Sequence, residues 1–328
     1  MLRREFLRFG AFATLGAVSN LNGAQNLETG AKSQTKNLVR EARDSEAASP
    51  ALNSSARLRI LVTGATSGVG FLTAKELAAK GCEVVLHGRS AKSASRARAQ
   101  IIEELSKPSE CSNLSSNLKT VWGDFEDLAQ IKSVAAQVGE IGRLDAAIHN
   151  AGFWQTGGEM KKSADGLPAI FSVNVLAPYV LTALAPAPRL VYVASSMASG
   201  ASGADAIEDW AWRKRRFSGT SAYSESKLLV TMLAFAIAAR YPQIAANTVN
   251  PGWVPTKMGG AFAPDDLAQS HLTQVWLATA AQAAHVSGEN FYHMQKERAN
   301  PDARNSELQA RLLALLENLS GVKLDVQI

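Results

Sequence analysis

The chain has 328 residues, a formal net charge of +5, 19% charged residues and two cysteines. A charge this mild does not indicate nucleic-acid binding. Two cysteines without a C-x-x-C pair indicate neither a disulfide framework nor a metal site, although the residues leave a bridge between Cys82 and Cys111 open. The length suffices for one well-buried α/β domain, and we expect no nucleic-acid partner and no metal.

The first segment, residues 1–24, predicts an export signal. It begins MLRREFLRFG, in which Arg3 and Arg4 stand in an R-R-x-F-L order that resembles the twin-arginine signal of bacteria. The apolar stretch over 9–18 is far shorter than the ~20 residues that span a bilayer, so we expect no stable membrane insertion. Periplasmic localisation through the twin-arginine export machinery is the expectation, and a cytoplasmic protein with a frayed basic leader is the alternative.

The rest of the chain divides into a linker and a folded region. Residues 25–56 contain many Ser, Ala, Asn and charged residues, which predicts a flexible linker. From residue 57 onward, strand-like runs alternate with helical patterns, and in chain order these runs are RILVTG, EVVLHG, LKTVWGD, LDAAIHN, RLVYVASS and AANTVNPG. Strands separated by crossover helices predict one α/β domain over 57–328, a doubly wound parallel sheet with helices on both faces.

A glycine-rich turn directly follows the first predicted strand and opens the first helix. In TGATSGVG, the glycines Gly64, Gly68 and Gly70 permit a sharp turn and a close approach of the backbone to a pyrophosphate. The phosphate charge would then meet the amides of the helix N-terminus, with Ser67 and Val69 in the same turn. Strand, turn and helix together predict a dinucleotide-binding site.

The end of the second strand indicates which dinucleotide binds. An acidic residue at this place would hold a ribose 2′-hydroxyl, but the sequence LHGRS has Gly88 followed by Arg89. A guanidinium group suits a 2′-phosphate. The expected cofactor is therefore NADP(H) rather than NAD(H).

A tyrosine and a lysine mark the second predicted site. Tyr223 and Lys227 in YSESK are four residues apart at the start of a long apolar helix, so they share one helical face. A free tyrosine titrates near pH ~10. An ammonium group held close to the phenol would lower its pKa and suit it to exchange a proton with an alcohol or a carbonyl. The pair predicts an acid/base site.

Six motifs, in this order from about Arg59 to the C-terminus, resemble the short-chain dehydrogenase/reductase family. They are the glycine turn, HNAG at 149–152, SVN ending at Asn174, VASS ending at Ser196, Tyr223-x-x-x-Lys227 and NPGWVPT at 250–256. The resemblance implies a Rossmann-type sheet and hydride transfer at the nicotinamide ring.

The resemblance also implies a role for each matched residue. Tyr223 would donate or accept the proton, and Lys227 would lower the phenol pKa and hold the nicotinamide ribose. Ser196, preferred over Ser195 on the family alignment, would bind the substrate oxygen, and Asn174 would order a water in the proton relay. The remaining implied cofactor contacts are Asp124, Asn150, Ala151, Gly152, Pro251, Gly252, Val254 and Thr256.

Two departures from the common family pattern concern the segments around the site. Ser196 and Tyr223 are 223 − 196 = 27 positions apart, a long spacing that resembles the retinol dehydrogenase-like branch. The basic run at 213–216 within this spacing is interpreted as a solvated loop. The helix after Asn174 is short and contains prolines. Because that helix usually contributes to family dimers, the expectation of a homo-oligomer is weakened.

Apolar side chains after the strand-end motifs predict the substrate class. They are Phe153, Trp154, Met197, Trp253, Met258 and Phe262. An apolar pocket would favour a lipophilic ketone, aldehyde or secondary alcohol. The predicted function is an NADP(H)-dependent oxidoreductase that interconverts a carbonyl and an alcohol. The alternative is a non-catalytic NADP-binding regulatory or scaffold protein on the same fold, which the presence of all four catalytic residue types disfavours.

Overall fold

A single sheet organises the part of the chain that the structure, a computed structural model, describes: residues 57–106 and 114–328. The predicted signal at 1–24, the predicted linker at 25–56 and Cys111 lie outside the described residues. Within them, Cys82 is buried as a free thiol.

Eight strands form the sheet in the described region. They are β1 (Arg59–Val62), β2 (Glu83–Gly88), β3 (Leu118–Trp122), β4 (Ala146–His149), β5 (Arg189–Val193), β6 (Ala245–Asn250), β7 (Asn290–Tyr292) and β8 (Gln295–Glu297). Their order in space is β3-β2-β1-β4-β5-β6-β7-β8. Neighbouring strands from β3 to β7 pair in parallel, and β8 returns antiparallel to β7.

Helices connect the strands and cover both faces of the sheet. They are α1 (Gly68–Ala79), α2 (Ala91–Leu105), α3 (Leu114–Asn117), α4 (Leu128–Ile141), α5 (Ala169–Phe171), α6 (Ala177–Leu184), α7 (Gly203–Glu208), α8 (Gly219–Arg240), α9 (Leu272–Thr279) and α10 (Ser306–Ser320). A π-helical turn, Ser172–Leu176, joins α5 to α6. Short 3₁₀ turns lie at Ser196–Gly200, Ala281–His285 and Pro301–Arg304.

Alternate residues of each strand enter two apolar cores, one on each face of the sheet. In β1, Leu61 packs with α4, α6 and α8, whereas Ile60 and Val62 pack with α1, α2 and α9. Side chains alternate across a strand, and a parallel strand is buried on both faces, so every position of such a strand favours an apolar residue. This arrangement confirms the predicted doubly wound α/β fold.

The six predicted strands are all present as β1 to β6, in the order that places a topological switch between β1 and β4. Ligands of such sheets bind in the crevice beyond the carboxyl ends of the strands at this switch.

Among the described helices, only α8 is long and apolar enough to cross a membrane by length and composition, and most of its apolar stretch is buried in the protein core.

Candidate active site

The glycine turn between β1 and α1 lies at the carboxyl edge of the sheet. Gly64 and Gly68 have φ angles of +65° and +56°, in the left-handed region that favours glycine. A Cβ on Gly64 would lie 2.9 Å from the Cα of Ala151, and one on Gly70 would lie 2.5 Å from the carbonyl oxygen of Gly64. The turn therefore needs glycine for its backbone angles and for its close contacts.

The N-terminus of α1 differs from those of α2, α4 and α8 in how its amides are capped. The side chain of Ser67 accepts no hydrogen bond from the first turn of α1. Ser90, Asp127 and Ser218, by contrast, each accept a backbone amide at the start of α2, α4 and α8. Amides without a side-chain cap, at the positive end of a helix dipole, fit a pyrophosphate. The residues present therefore fit the predicted dinucleotide.

His87, which the sequence motifs did not single out, supports the glycine turn. Its Nδ1 accepts a hydrogen bond from the Gly64 amide at 3.1 Å, and its Nε2 lies 3.0 Å from the carbonyl oxygen of Gly123. The ring is therefore neutral and carries its proton on Nε2. It stacks on Phe125 with the ring centroids 4.1 Å apart. Burial lowers the pKa of His87 to about 4, and the neutral ring ties together the ends of β1, β2 and β3.

The residues predicted for the adenosine side lie at neighbouring strand ends. After β4, the side chain of Asn150 donates to the carbonyl oxygen of Thr63 at 2.9 Å, and the amide of Ala151 donates to the Thr63 hydroxyl at 3.0 Å. Asp124 follows β3 and accepts a backbone amide through its carboxylate. Arg89 is exposed directly after β2. The sheet order thus brings together residues that are far apart in the sequence.

The loop after β6, which contains the predicted contacts at 251–256, approaches the glycine turn. A Cβ on Gly68 would lie 3.2 Å from the Cγ2 of Thr256, so the two segments are close to contact. Val254 is buried, and Gly252 has a φ angle of +85° with no room for a Cβ beside the Asp265 carboxylate. This loop therefore closes one side of the crevice.

Tyr223 and Lys227 lie one helical turn apart near the start of α8. The Nζ of Lys227 donates to the carbonyl oxygen of Val193 at 2.7 Å and lies 5.5 Å from the centroid of the Tyr223 ring. Gly152 lies opposite, because a Cβ on it would be 3.6 Å from the Lys227 Nζ and 3.7 Å from the Asn174 Oδ1. Three of the four predicted catalytic residues therefore meet at the carboxyl ends of β4 and β5.

Asn174 is held in place by three hydrogen bonds. Its Oδ1 accepts from the Phe153 amide at 2.7 Å, and its Nδ2 donates to the Phe153 carbonyl oxygen at 3.0 Å and to the Ser226 hydroxyl at 2.9 Å. The residue lies in the π-helical turn Ser172–Leu176, and such turns occur often at functional sites. Asn174 thus fixes the chain after β4 against α8.

The geometry favours Ser195 over the predicted Ser196 as the serine beside the phenol. The Ser195 side chain lies close enough to the Tyr223 hydroxyl to oppose the rise of its pKa. It also accepts the Met197 amide at 3.3 Å, whereas Ser196 is exposed. The two side chains diverge because consecutive residues in extended backbone point to opposite sides, and Ser195 is extended.

Burial dominates the electrostatics of the tyrosine and lysine pair. It raises the pKa of Tyr223 to about 12, although the contact with Ser195 opposes this rise, and it lowers the pKa of Lys227 to about 8. The expected lowering of the phenol pKa by the ammonium group is therefore not what this geometry produces. Lys227 is itself desolvated, and its amino group donates to the carbonyl oxygen of Val193.

The apolar residues predicted to line a substrate pocket separate into two groups. The Met258 sulfur lies 3.9 Å from the Tyr223 phenol oxygen, and the Trp154 ring centroid lies 5.6 Å from that of Tyr223. Phe262, however, is 97% exposed, and Trp253 is half exposed with its indole N–H bonded within its own loop. Met258 and Trp154 thus border the reactive phenol, whereas Phe262 provides no wall.

Comparisons with known proteins match this arrangement. A family model described as short chain dehydrogenase matches residues 59–266. The short-chain dehydrogenase chry4 of Gibberella zeae is 33% identical over 272 residues, which cover 81% of this chain and 98% of the relative. Human retinol dehydrogenase 13 is 28% identical, and the match covers 80% of this chain and 85% of the relative. Among solved structures, an uncharacterised protein from Mycobacterium paratuberculosis is similar with a TM-score of 0.67 and 23% identity. The match covers 84% of this chain and 98% of that protein, and it shows a similarity of fold.

Proposed function

The chain belongs to the short-chain dehydrogenase family, in its retinol dehydrogenase-like branch. We propose that it interconverts a carbonyl and an alcohol on a lipophilic small molecule with NADP(H). The observation that carries the proposal is the meeting of Tyr223, Lys227 and Asn174 around Gly152, beside a turn that fits a dinucleotide. Family membership makes the protein an NAD(P)-dependent oxidoreductase, and the proposal adds the cofactor preference, the substrate class and the acid/base residue.

The cofactor would be held along the carboxyl edge of the sheet. The amides of the turn from Gly64 to Gly70 would bind the pyrophosphate, and the loop at 251–256 would lie at the carboxamide end. When bound, a nicotinamide supplies hydride chemistry at the carbonyl carbon. Arg89 supports NADP(H), because an exposed guanidinium directly after β2 is free to bind a 2′-phosphate.

Tyr223 would act as the proton donor during carbonyl reduction. Its pKa, raised by burial to about 12, keeps the phenol protonated at neutral pH, so a proton is available for the substrate oxygen. Ser195, which acts on the pKa of the same phenol, would donate a hydrogen bond to the substrate oxygen and stabilise the charge that develops there. In the direction of alcohol oxidation, the same phenol would take the proton back.

Lys227 would return a proton to the site after each turnover. Its pKa, lowered by burial to about 8, leaves it charged at neutral pH and close to its titration point. Asn174 would fix the geometry of this path, because its hydrogen bonds join the chain after β4 to Ser226, the residue beside Lys227. Lys227 would thus supply the proton, and Asn174 would align the path.

The lipophilic substrate class is supported by the side chains that border the phenol. Met258 and Trp154 present a thioether and an indole next to Tyr223. Such side chains bind apolar groups and leave the carbonyl as the one polar group that needs a partner. The similarity to a protein named retinol dehydrogenase 13 points in the same direction.

A panel assay tests this function against the alternative of a non-catalytic NADP-binding protein. The purified chain is mixed with NADPH or NADH and with pairs of ketones and aldehydes that differ only in the length of an apolar tail. We expect carbonyl-dependent loss of NADPH absorbance that rises with tail length. NADPH binding detected by fluorescence, without oxidation by any member of the panel, would instead support the scaffold protein.

A further inference from the structure

The segment at 201–218, which separates the serine pair from Tyr223 in the sequence, is fastened to α8 through Arg215. The Arg215 guanidinium donates to both carboxylate oxygens of Glu225 on α8, at 2.7 and 3.2 Å. Its Nε donates to Asp209 at 3.1 Å. Glu225 and Asp209 are 8% and 7% exposed. A bidentate guanidinium bond to a buried carboxylate fixes orientation as well as distance.

Other contacts hold this segment in one conformation. The Arg215 guanidinium lies 4.2 Å from the centroid of the Trp212 ring, which also contacts Phe217 edge-on at 5.5 Å. Trp212 has a φ angle of +55°, which is strained for a residue with a bulky side chain. The Asp209 carboxylate accepts two backbone amides of the basic run at 213–216. Strained backbone persists where its surroundings determine it strongly, and this happens mostly at functional sites.

The partner of Arg215 lies within the catalytic stretch of α8. Glu225 stands between Tyr223 and Lys227 in the sequence, and the next residue, Ser226, connects to the rest of the site. The Ser226 hydroxyl donates to the Tyr223 carbonyl oxygen at 2.7 Å and accepts from Asn174 at 2.9 Å. A movement of Glu225 would therefore move the backbone that holds the phenol, the lysine and the asparagine.

A second contact of the same helix end involves the main chain. Gly219, the first residue of α8, faces the carbonyl oxygen of Gln155 so closely that no Cβ would fit. Gln155 directly follows Trp154, which borders Tyr223. The start of α8 is thus held both by this contact and by the pair of Arg215 and Glu225.

We propose that Arg215 is a positioning residue for Tyr223, which acts by holding Glu225 and thereby the first two turns of α8. The inference rests on the proposed function, because it assigns the positioned phenol a part in turnover. A catalytic group displaced by about 1 Å costs on the order of 100-fold in rate. The basic run is therefore not simply a solvated loop, since one of its four residues aligns the site.

The test replaces the pair of Arg215 and Glu225 and leaves the Asp209 carboxylate with its two backbone amide donors. The double variant Arg215→Met/Glu225→Leu puts apolar side chains of similar volume in place of the pair, an exchange that often maintains or raises stability. Arg215→Lys keeps the charge but loses the bidentate geometry. Lys214→Ala is the matched control. Lys214 lies in the same run, and within the described residues its side chain forms an ion pair only with Glu208, both about two-thirds exposed.

We expect the double variant to lose about 10- to 100-fold in kcat, with an unchanged thermal midpoint and an unchanged dissociation constant for NADP(H). Arg215→Lys should fall between it and the wild type, and Lys214→Ala should match the wild type. Wild-type kcat in the double variant would overturn the proposal. A loss of kcat that parallels losses of cofactor affinity and thermal stability would also overturn it, because the role would then be structural.

A measurement that needs no substrate separates this proposal from the proposed function. Hydrogen exchange of the backbone amides at 222–227, followed by mass spectrometry, reports how firmly the start of α8 is held. If the wild type reduces no carbonyl, the proposed function fails, and faster exchange in the double variant than in Lys214→Ala would still support positioning by Arg215. Equal exchange rates in the two variants would overturn it.

Discussion

Replacing His87 with glutamine should remove part of the protein's sensitivity to acid. The ring is 2% exposed, accepts from the Gly64 amide and donates to the Gly123 carbonyl oxygen. A second ring proton would oppose the Gly64 amide, so the charged ring cannot keep both bonds. Burial accordingly lowers the pKa of His87 from 6.5 to about 4.

The size of the effect follows from this pKa difference. Between pH 6.5 and pH 4 the unfolded chain binds the proton more strongly than the folded protein, so stability is fully present above pH 6.5 and falls as the pH drops to about 4. At ~1.4 kcal/mol per pH unit, the loss from His87 between pH 7 and pH 5 is about 2 kcal/mol. His149, whose pKa burial lowers to about 3, remains in both proteins and cancels from the comparison.

The measurement is the free energy of unfolding in urea at pH 7 and pH 5, followed by tryptophan fluorescence. His87→Gln should lose about 2 kcal/mol less than the wild type between the two pH values, whatever its stability at pH 7. His285→Gln, which changes an exposed histidine, should lose as much as the wild type. If His87→Gln shows the full wild-type loss, the buried neutral ring is not the source of the acid sensitivity.

Three further changes test the cofactor, the serine and the export signal. Arg89→Asp should shift the ratio of kcat/KM for NADPH over NADH by at least ~10-fold toward NADH. A wild type that already prefers NADH would contradict the role of Arg89. Ser195→Ala should lower kcat by on the order of 100-fold, while Ser196→Ala should keep a kcat near that of the wild type. A larger loss of kcat in Ser196→Ala than in Ser195→Ala would restore Ser196 as the substrate-binding serine. Arg3→Lys with Arg4→Lys should strand an active, uncut protein in the cytoplasm, as followed by cell fractionation, and equal cytoplasmic retention of the wild type would refute export.

The central strands could be predicted from the sequence because each is buried on both faces. In β1 and β2, every position after the first is buried and most of these carry apolar residues, and a helical pattern separates the two runs. The last two strands could not be predicted. Asn290–Tyr292 and Gln295–Glu297 have three residues each, and β8 is polar throughout, so neither leaves a periodic signal. They pair because β6 provides an adjacent edge.

The set of residues that meet at the site could also be predicted, because parallel strands end at one edge of the sheet. Side-chain direction and burial could not. The sequence does not show which of the adjacent Ser195 and Ser196 faces the phenol. The spacing of Tyr223 and Lys227 predicts that they share a helical face. It does not show that burial would govern the pKa values of both residues. Arg215 lies in a basic run, and its buried partner is ten residues away on another element, so no local pattern indicates the pair.

The most direct test of the account is the pair of variants Tyr223→Phe and Tyr241→Phe. Each removes one phenol oxygen, but the Tyr241 hydroxyl donates to the Leu324 carbonyl oxygen, far along the chain from the site motifs. With a carbonyl that the wild type reduces, Tyr223→Phe should lower kcat by about 10²- to 10⁴-fold while the NADPH dissociation constant stays unchanged, and Tyr241→Phe should retain turnover. Wild-type kcat in Tyr223→Phe, with NADPH still bound, would contradict the assignment of Tyr223 as the proton donor.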